Sequence, residues 1–203
     1  MWALVEDNAI VKIINNPKAM VIGDTRHSRN IFSSRWTNEE REAIGIYEIV
    51  FDNSNKRDES YYTNTNQSFD FADGVATASF GSATARSLAD TLFTAQDEID
   101  GKGIEGEVAV NGLKTNHKEI IKQQASGYLT PTDWYVIKAT EVESYSVPAA
   151  MTTYRAAVRT KSNDFEALID ACTTVDELAA LFTYTEQDDG SITRPLGEWP
   201  EAV

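Results

Sequence analysis

The residues able to do covalent or metal chemistry are few and far apart in this chain. Cys172 is the only cysteine, and His27 and His117 are the only histidines. A cysteine nucleophile needs a base beside it, and no signature of a cysteine hydrolase surrounds Cys172. Its setting, LIDACTTV, has the apolar spacing of a helix and predicts a buried structural thiol. Two histidines and one cysteine cannot assemble a common four-ligand zinc site. The phosphate-cradling, dinucleotide, serine-elbow and H-E-x-x-H patterns are all missing. Carboxylates are abundant, and an acid pair could serve a hydrolase. Asp97-Glu98-Ile99-Asp100-Gly101 and Asp188-Asp189-Gly190 set acids beside a glycine turn, but neither has the spacing of a calcium loop. Ordinary turns account for both. Asn66-Gln67-Ser68 matches a glycosylation sequon with nothing else pointing to secretion. The expectation is therefore no catalytic residue, no cofactor and no metal.

Recognition chemistry is better represented. Between Leu129 and Arg159 the chain reads LTPTDWYVIKATEVESYSVPAAMTTYRAAVR. Trp134 and Tyr135 are adjacent, Tyr154 and Arg155 are adjacent, and Arg155 and Arg159 lie four apart, on one helix face. Trp, Tyr and Arg dominate the energetics of protein interfaces, so Trp134, Tyr135, Tyr154, Arg155 and Arg159 are the candidate partner-binding residues. The competing expectation is plainer. Trp134, Ile137 and Val142 recur at helical spacing, as do Tyr154 and Val158, which predicts core stripes. The arginine pair would then meet nearby acids such as Glu141 or Glu143.

The formal charge is −14 over 203 residues. Phosphate neutralisation needs clustered Lys and Arg, so a nucleic-acid partner is not expected. Residues 162–203 hold ten acids and one base. This is either a solvated face and tail or a dock for a basic partner. No apolar run reaches the 18 to 20 or so residues that cross a bilayer, so a membrane is not expected either. The N-terminus has acids where a signal peptide would be apolar, which predicts synthesis as a cytosolic protein.

The elements that must position these residues follow from hydrophobic period and turn chemistry. Trp2 to Ile14 reads as a hairpin turning at Glu6-Asp7-Asn8. Residues 23–35 read as loop. Thr37 and Glu40 form a capping box, the helix they open ends at Gly45, and Ile46 to Phe51 is a strand. Asp73-Gly74 is a two-residue hairpin signal. It pairs Phe69 with Ala78 and Phe71 with Ala76, placing Phe69, Phe71, Ala76, Ala78 and Phe80 on an apolar face. From Thr84 the period becomes helical, with Leu88, Leu92 and Ala95 predicting a helix that ends near Gly101. Gly101 to Gly112 is a loop, with a possible strand at 107–110. Helices are expected over 113–129, 133–142, from Pro148 to about Thr160, over 164–171 and over 175–182, the last capped by Thr174 and Glu177. The fold class is α+β, with a β-rich N-terminal module at 1–83, a helical module at 84–185 and an acidic tail at 186–203.

Thr132-Asp133-Trp134-Tyr135, Glu141, Val147-Pro148, Tyr154-Arg155 and Arg159 together resemble a segment of small proteins encoded beside tail-fibre genes in tailed bacteriophages, the tail-fibre-assembly or tail-assembly chaperone-like family. WALVEDNAIVKI with Ile31-Phe32, Trp36-Thr37, Glu39-Glu40 and Gly45-Ile46-Tyr47 resembles the opening module of other small phage tail proteins. These patches cover about a third of the chain and leave 52–112 uncovered. The resemblance implies a non-enzymatic protein of the virion tail, or of the host cytoplasm during assembly. It would bind tail-fibre or tail-tip proteins within an oligomeric assembly, and the family has no catalytic residues to transfer. A head or neck decoration protein and a carboxylate-based hydrolase are the alternatives.

Overall fold

A computed structural model describes residues 1–202. The fold is α+β, with strands mostly in the N-terminal half and helices concentrated C-terminally. The chain divides into two compact units, Met1–Thr84 and Ala85–Val203.

The first unit is built on a five-stranded mixed sheet. Its strands are β1 (Trp2–Glu6), β2 (Ala9–Ile14), β5 (Ile46–Asp52), β7 (Ser68–Ala72) and β8 (Val75–Ser79), in the order β2-β1-β5-β8-β7. The β1–β2 hairpin turns on Asp7 and Asn8, both in the left-handed region at φ 50° and 60°. That is the conformation a tight right-twisting hairpin requires, and Asp and Asn tolerate it best after Gly. Leu4 pairs with Lys12 and Val5 with Ile10, so Val11 is an extra, bulged residue. The bulge resets the alternation. Ile10 and Ile13, three apart, therefore both pack on one core cluster with Ala3, Val5, Ile49, Ala76 and Ala78, while Val11 is exposed. Bulges also increase twist, and the sheet curls until its edge strands β2 and β7 approach each other.

The β7–β8 hairpin has the register expected from Asp73-Gly74, with Phe69 opposite Ala78 and Phe71 opposite Ala76. The two alanines are fully buried, and Phe69, Phe71 and Tyr47 close over them. Phe80 lies beyond the strand, beneath the Lys56 ammonium. Gly74 sits at φ 78° with open space where a Cβ would project. Gly74→Val therefore pays only for the left-handed backbone, and should destabilise the unit by about 1–2 kcal/mol in urea unfolding. An unchanged midpoint would contradict the turn assignment.

Leu4, Ile14 and Ile46 form a second cluster, packed by Trp2, Met20, Phe32 and Ile44. Residues 23–35 are more ordered than a loop. β3 (Met20–Ile22) and β4 (Thr25–His27) form a hairpin, followed by a 3-10 turn at Arg29–Phe32. Helix α1 (Asn38–Glu42) has the expected Thr37/Glu40 capping box. Arg41 is buried and fully used. Its guanidinium donates to the Ile31 and Ser33 carbonyls, each at 2.8 Å, and to Asn38, and lies over the Trp2 ring. Gly45 has φ 80°, and a Cβ there would lie 2.6 Å from the Val5 carbonyl oxygen. The close approach permits the 2.8 Å bond from Val5 N–H to the Gly45 carbonyl. Short strands β6 (Tyr62–Thr63) and β9 (Thr84–Ala85) complete this part of the chain.

In the second unit the helix expected from Thr84 is absent. Residues 84–94 are not helical but irregular with two short strands, and only α2 (Ala95–Ile99) is helical. The backbone carbonyls of Ser87 and Leu88 accept from Leu113 and Lys114, and Asp90 accepts from Gly112. These long-range partners replace the helix ladder. β10 (Thr91–Leu92) pairs with β11 (Val108–Val110). Helix α3 (Leu113–Leu129) matches its expected range. A 3-10 turn at Thr130–Thr132 leads into α4 (Asp133–Glu141). Next comes α5 (Ala149–Ala171), one continuous helix where two were expected. Ser162-Asn163-Asp164 reads as a break in sequence. Ser162 is nonetheless buried in a stripe with Tyr154, Val158, Phe165 and Ile169, and packing holds the helix through it. Helix α6 (Val175–Phe182) carries the expected Thr174/Glu177 box.

Residues 186–202 are not a free tail. β12 (Thr185–Glu186) and β13 (Ile192–Thr193) make a hairpin. Leu196 is then buried, bonded through its N–H to the Leu181 carbonyl. Trp199 donates to Gln124 Oε1 at 3.0 Å and meets the Phe165 ring edge-on at 5.0 Å.

Candidate functional site

Helix α4 carries the features that a recognition surface needs. The turn before it is held by Arg155. The Arg155 Nη1 donates to the Leu129 carbonyl at 3.1 Å and to the Thr132 hydroxyl, and Nη2 pairs with Asp133 at 2.8 Å. Thr132 in turn donates to Leu129. The guanidinium therefore fixes both the end of α3 and the first residue of α4. A planar fork of donors suits this task; a point charge would not.

This arrangement corrects two of the expected partner-binding residues. Tyr154 and Arg155 are 6% and 8% exposed and belong to the interior. Arg155 meets Asp133, not Glu141 or Glu143, because Asp133 is set one residue beyond the turn it clamps. Arg159 is exposed, with Nη1 3.4 Å from the Arg155 carbonyl. Tyr135 is half-buried against the cluster of Ala125, Met151, Tyr154 and Val158.

Trp134 faces the other way. It is 49% exposed, and Ile137 and Val142 are 55% and 41% exposed, so the core stripe expected of them does not exist. No residue of α4 is buried. Trp134 stacks on Tyr135 at 3.9 Å between ring centroids, and Lys138 lies over both Trp134 and Tyr145. A shallow cleft lined by Gly127, Tyr128, Pro131, Trp134, Tyr135 and Tyr154 runs alongside. The helix thus presents a preordered aromatic and aliphatic face with one cation. Such a face can bind by area and shape. Sequence period failed here because a stripe at helical spacing is the same whether a domain core or a partner covers it.

The other chemistry-bearing residues have structural partners. Cys172 is buried at the end of α5, with its sulfur 3.4 Å from the Leu168 carbonyl, and burial pushes its thiol up, away from the thiolate. The His117 ring lies against Phe182 and bonds the Leu113 carbonyl. The His27 ring meets Trp36. Among the described residues no three His, Cys, Asp or Glu side chains are grouped as metal ligands. The acids beside Gly101 are engaged by Lys102, which pairs with Asp97 at 3.1 Å and Asp100 at 3.0 Å. Asp189 accepts from the Ser191 N–H within the hairpin turn.

Asp97 is also the capping residue of α2. Its carboxylate accepts from the Thr94 hydroxyl and N–H and from Lys102, which together lower its pKa from 3.8 to about 2. A depressed carboxylate stabilises the fold above the unfolded value and loses that contribution as pH falls through the folded one. The contribution of Asp97 should therefore be complete above about pH 5 and be lost progressively towards about pH 1. In an NMR titration, Thr94→Ala should move the Asp97 midpoint back up towards 3.8. A wild-type midpoint already at that value would refute the capping account.

No family model, curated protein or solved structure matches the chain.

Proposed function

We propose that this chain is a non-enzymatic tail accessory protein of a tailed bacteriophage, and that the exposed face of α4 docks on a tail-fibre or tail-tip protein. The observation that carries this reading is the exposure of Trp134 and Ile137 on α4, and of Val142 just past its end, with the opening turn clamped by Arg155. The motif order from Thr132 to Arg159 supports the phage assignment. An aromatic anchor held in a fixed rotamer loses little entropy on binding, so it suits a hot spot. Trp134 and Ile137 lie on the docking face. Tyr135, Tyr154 and Arg155 support it from beneath.

The test is co-purification. Trp134→Ala with Ile137→Ala should weaken capture of the tail-fibre or tail-tip protein by on the order of a thousandfold, since each hot-spot truncation costs about 2 kcal/mol or more. The melting temperature should stay nearly unchanged, because both side chains are exposed. Normal binding by this double variant would refute the docking face. Mass spectrometry of purified particles separates a retained virion part from an assembly factor. Detection in heads but not in tails would favour a decoration protein instead.

A further inference from the structure

The N-terminal unit carries a basic face within an acidic protein. Residues 9–36 hold five bases, Lys12, Lys18, Arg26, Arg29 and Arg35, against the single acid Asp24. All five are exposed. Among the described residues none has a side-chain ion pair or hydrogen bond. The fold brings Lys12, Lys18, Arg26 and Arg29 together. Lys12 and Lys18 line one cleft with Ile13, Met20 and Val21. Arg29 lines the next, beside Pro17 and Phe32. Arg26 pairs across the β3–β4 hairpin with Val21, which is 60% exposed. The surface is cationic with an apolar floor. A phosphate backbone would leave that floor uncovered; an acidic protein segment with apolar side chains would cover it.

This chain possesses such a segment. The β12–β13 hairpin carries Glu186, Asp188 and Asp189 with no base between residues 184 and 193. No ion pair forms on these acids among the described residues. Tyr184 and Ile192 are 51% and 66% exposed beside them. Two unpartnered surfaces of opposite charge, each with apolar residues at hand, are complementary in both respects.

We propose that the basic cleft of one copy binds the acidic β12–β13 hairpin of a second copy, so that the protein associates head to tail. Made singly, such a contact is heterologous and builds rings or open filaments; made reciprocally by one pair of copies, it closes a two-fold dimer. The overall charge of −14 opposes association at low salt, where it is unscreened. Near about 0.15 M salt the Debye length falls to about 8 Å, and the contact survives while distant repulsion is damped.

The experiment is light scattering of the full chain over a range of protein and salt concentrations. Association should grow with protein concentration at about 0.15 M salt and be lost at about 1 M. K18E with R29E, and separately E186K with D188K and D189K, should each weaken it by on the order of a hundredfold, because like charges then face each other. Mixing the two variants should restore association, since each now supplies the surface that the other lost. Circular dichroism establishes that both variants are folded. A wild type that stays monomeric at every salt and protein concentration overturns the proposal. So do charge-reversed variants that still associate, or folded variants that fail to recover when mixed. Labelled single-stranded DNA that binds at the cleft of a monomeric protein also overturns it, in favour of a nucleic-acid surface.

Discussion

Phe165→Ala is expected to destabilise the helical unit by about 3–5 kcal/mol, the largest loss of any single substitution considered for it. Phe165 has no exposed surface and stands in the C-terminal half of the α5 stripe. Its ring receives the edge of Trp199 at 5.0 Å on one side and the Lys161 ammonium, also at 5.0 Å, on another. Truncation removes the buried ring and leaves a void that the surrounding helices cannot close, so the transfer and cavity terms add. It also removes the surface on which the C-terminal segment folds back. Urea unfolding followed by far-UV circular dichroism should show the loss in the helical transition. Trp199 should become solvent-exposed at denaturant concentrations where the wild type protects it. Phe165→Leu, which fills most of the volume, should cost clearly less. A loss under about 1 kcal/mol for the alanine variant would mean that the α5 packing is wrongly described.

Arg155→Met should cost about 2–4 kcal/mol. The substitution keeps the aliphatic stem and removes the cation, so Asp133 loses its pair and the Thr132 hydroxyl loses a donor. A fully buried pair broken in this way costs about 3–5 kcal/mol. Asp133 is half exposed, which lowers the figure, and Thr132 still donates to the Leu129 carbonyl, which keeps that oxygen satisfied. Arg155→Lys should recover only part of the loss, because an ammonium cannot span the three partners. Arg159→Ala is the control: it is exposed, and its effect should stay within about 0.5 kcal/mol. Hydrogen exchange should speed at the start of α4 in the Arg155 variant and not in the Arg159 variant. Equal stability of wild type and Arg155→Met would show that the guanidinium holds nothing. Because Arg155 acts on the turn that presents Trp134, its loss should also weaken partner capture, but together with stability. Trp134→Ala with Ile137→Ala should weaken capture alone.

The division between local and long-range causes is visible residue by residue. The Asp73-Gly74 turn, the hairpin at Asp7-Asn8, the boxes at Thr37 and Thr174 and the whole of α3 were legible in the sequence. Each is decided by side chains within a few positions of the backbone they serve. A type I′ turn needs φ above zero at two adjacent residues, and a capping box spans four. The α+β class was legible for the same reason, because the hydrophobic period follows from the geometry of each element alone.

Tertiary structure decided what such windows cannot contain. Residues 84–94 have a helical period and are not helical, because Leu113, Lys114 and Gly112 supply their hydrogen bonds from more than twenty residues away. Ser162-Asn163-Asp164 has weak helix propensity and is helical, because Val158, Phe165 and Ile169 are packed on both sides of it. The parallel pairing of β5 with β8 joins segments that no turn connects. The candidate site followed the same rule. Trp134, Ile137 and Val142 on one side, and Tyr154 and Arg155 on the other, are indistinguishable by type and spacing. Only the approach of α5 to the end of α3 buries one set and leaves the other in solvent. Burial is a property of where distant chain segments meet, and a sequence window records only which residues would gain from it.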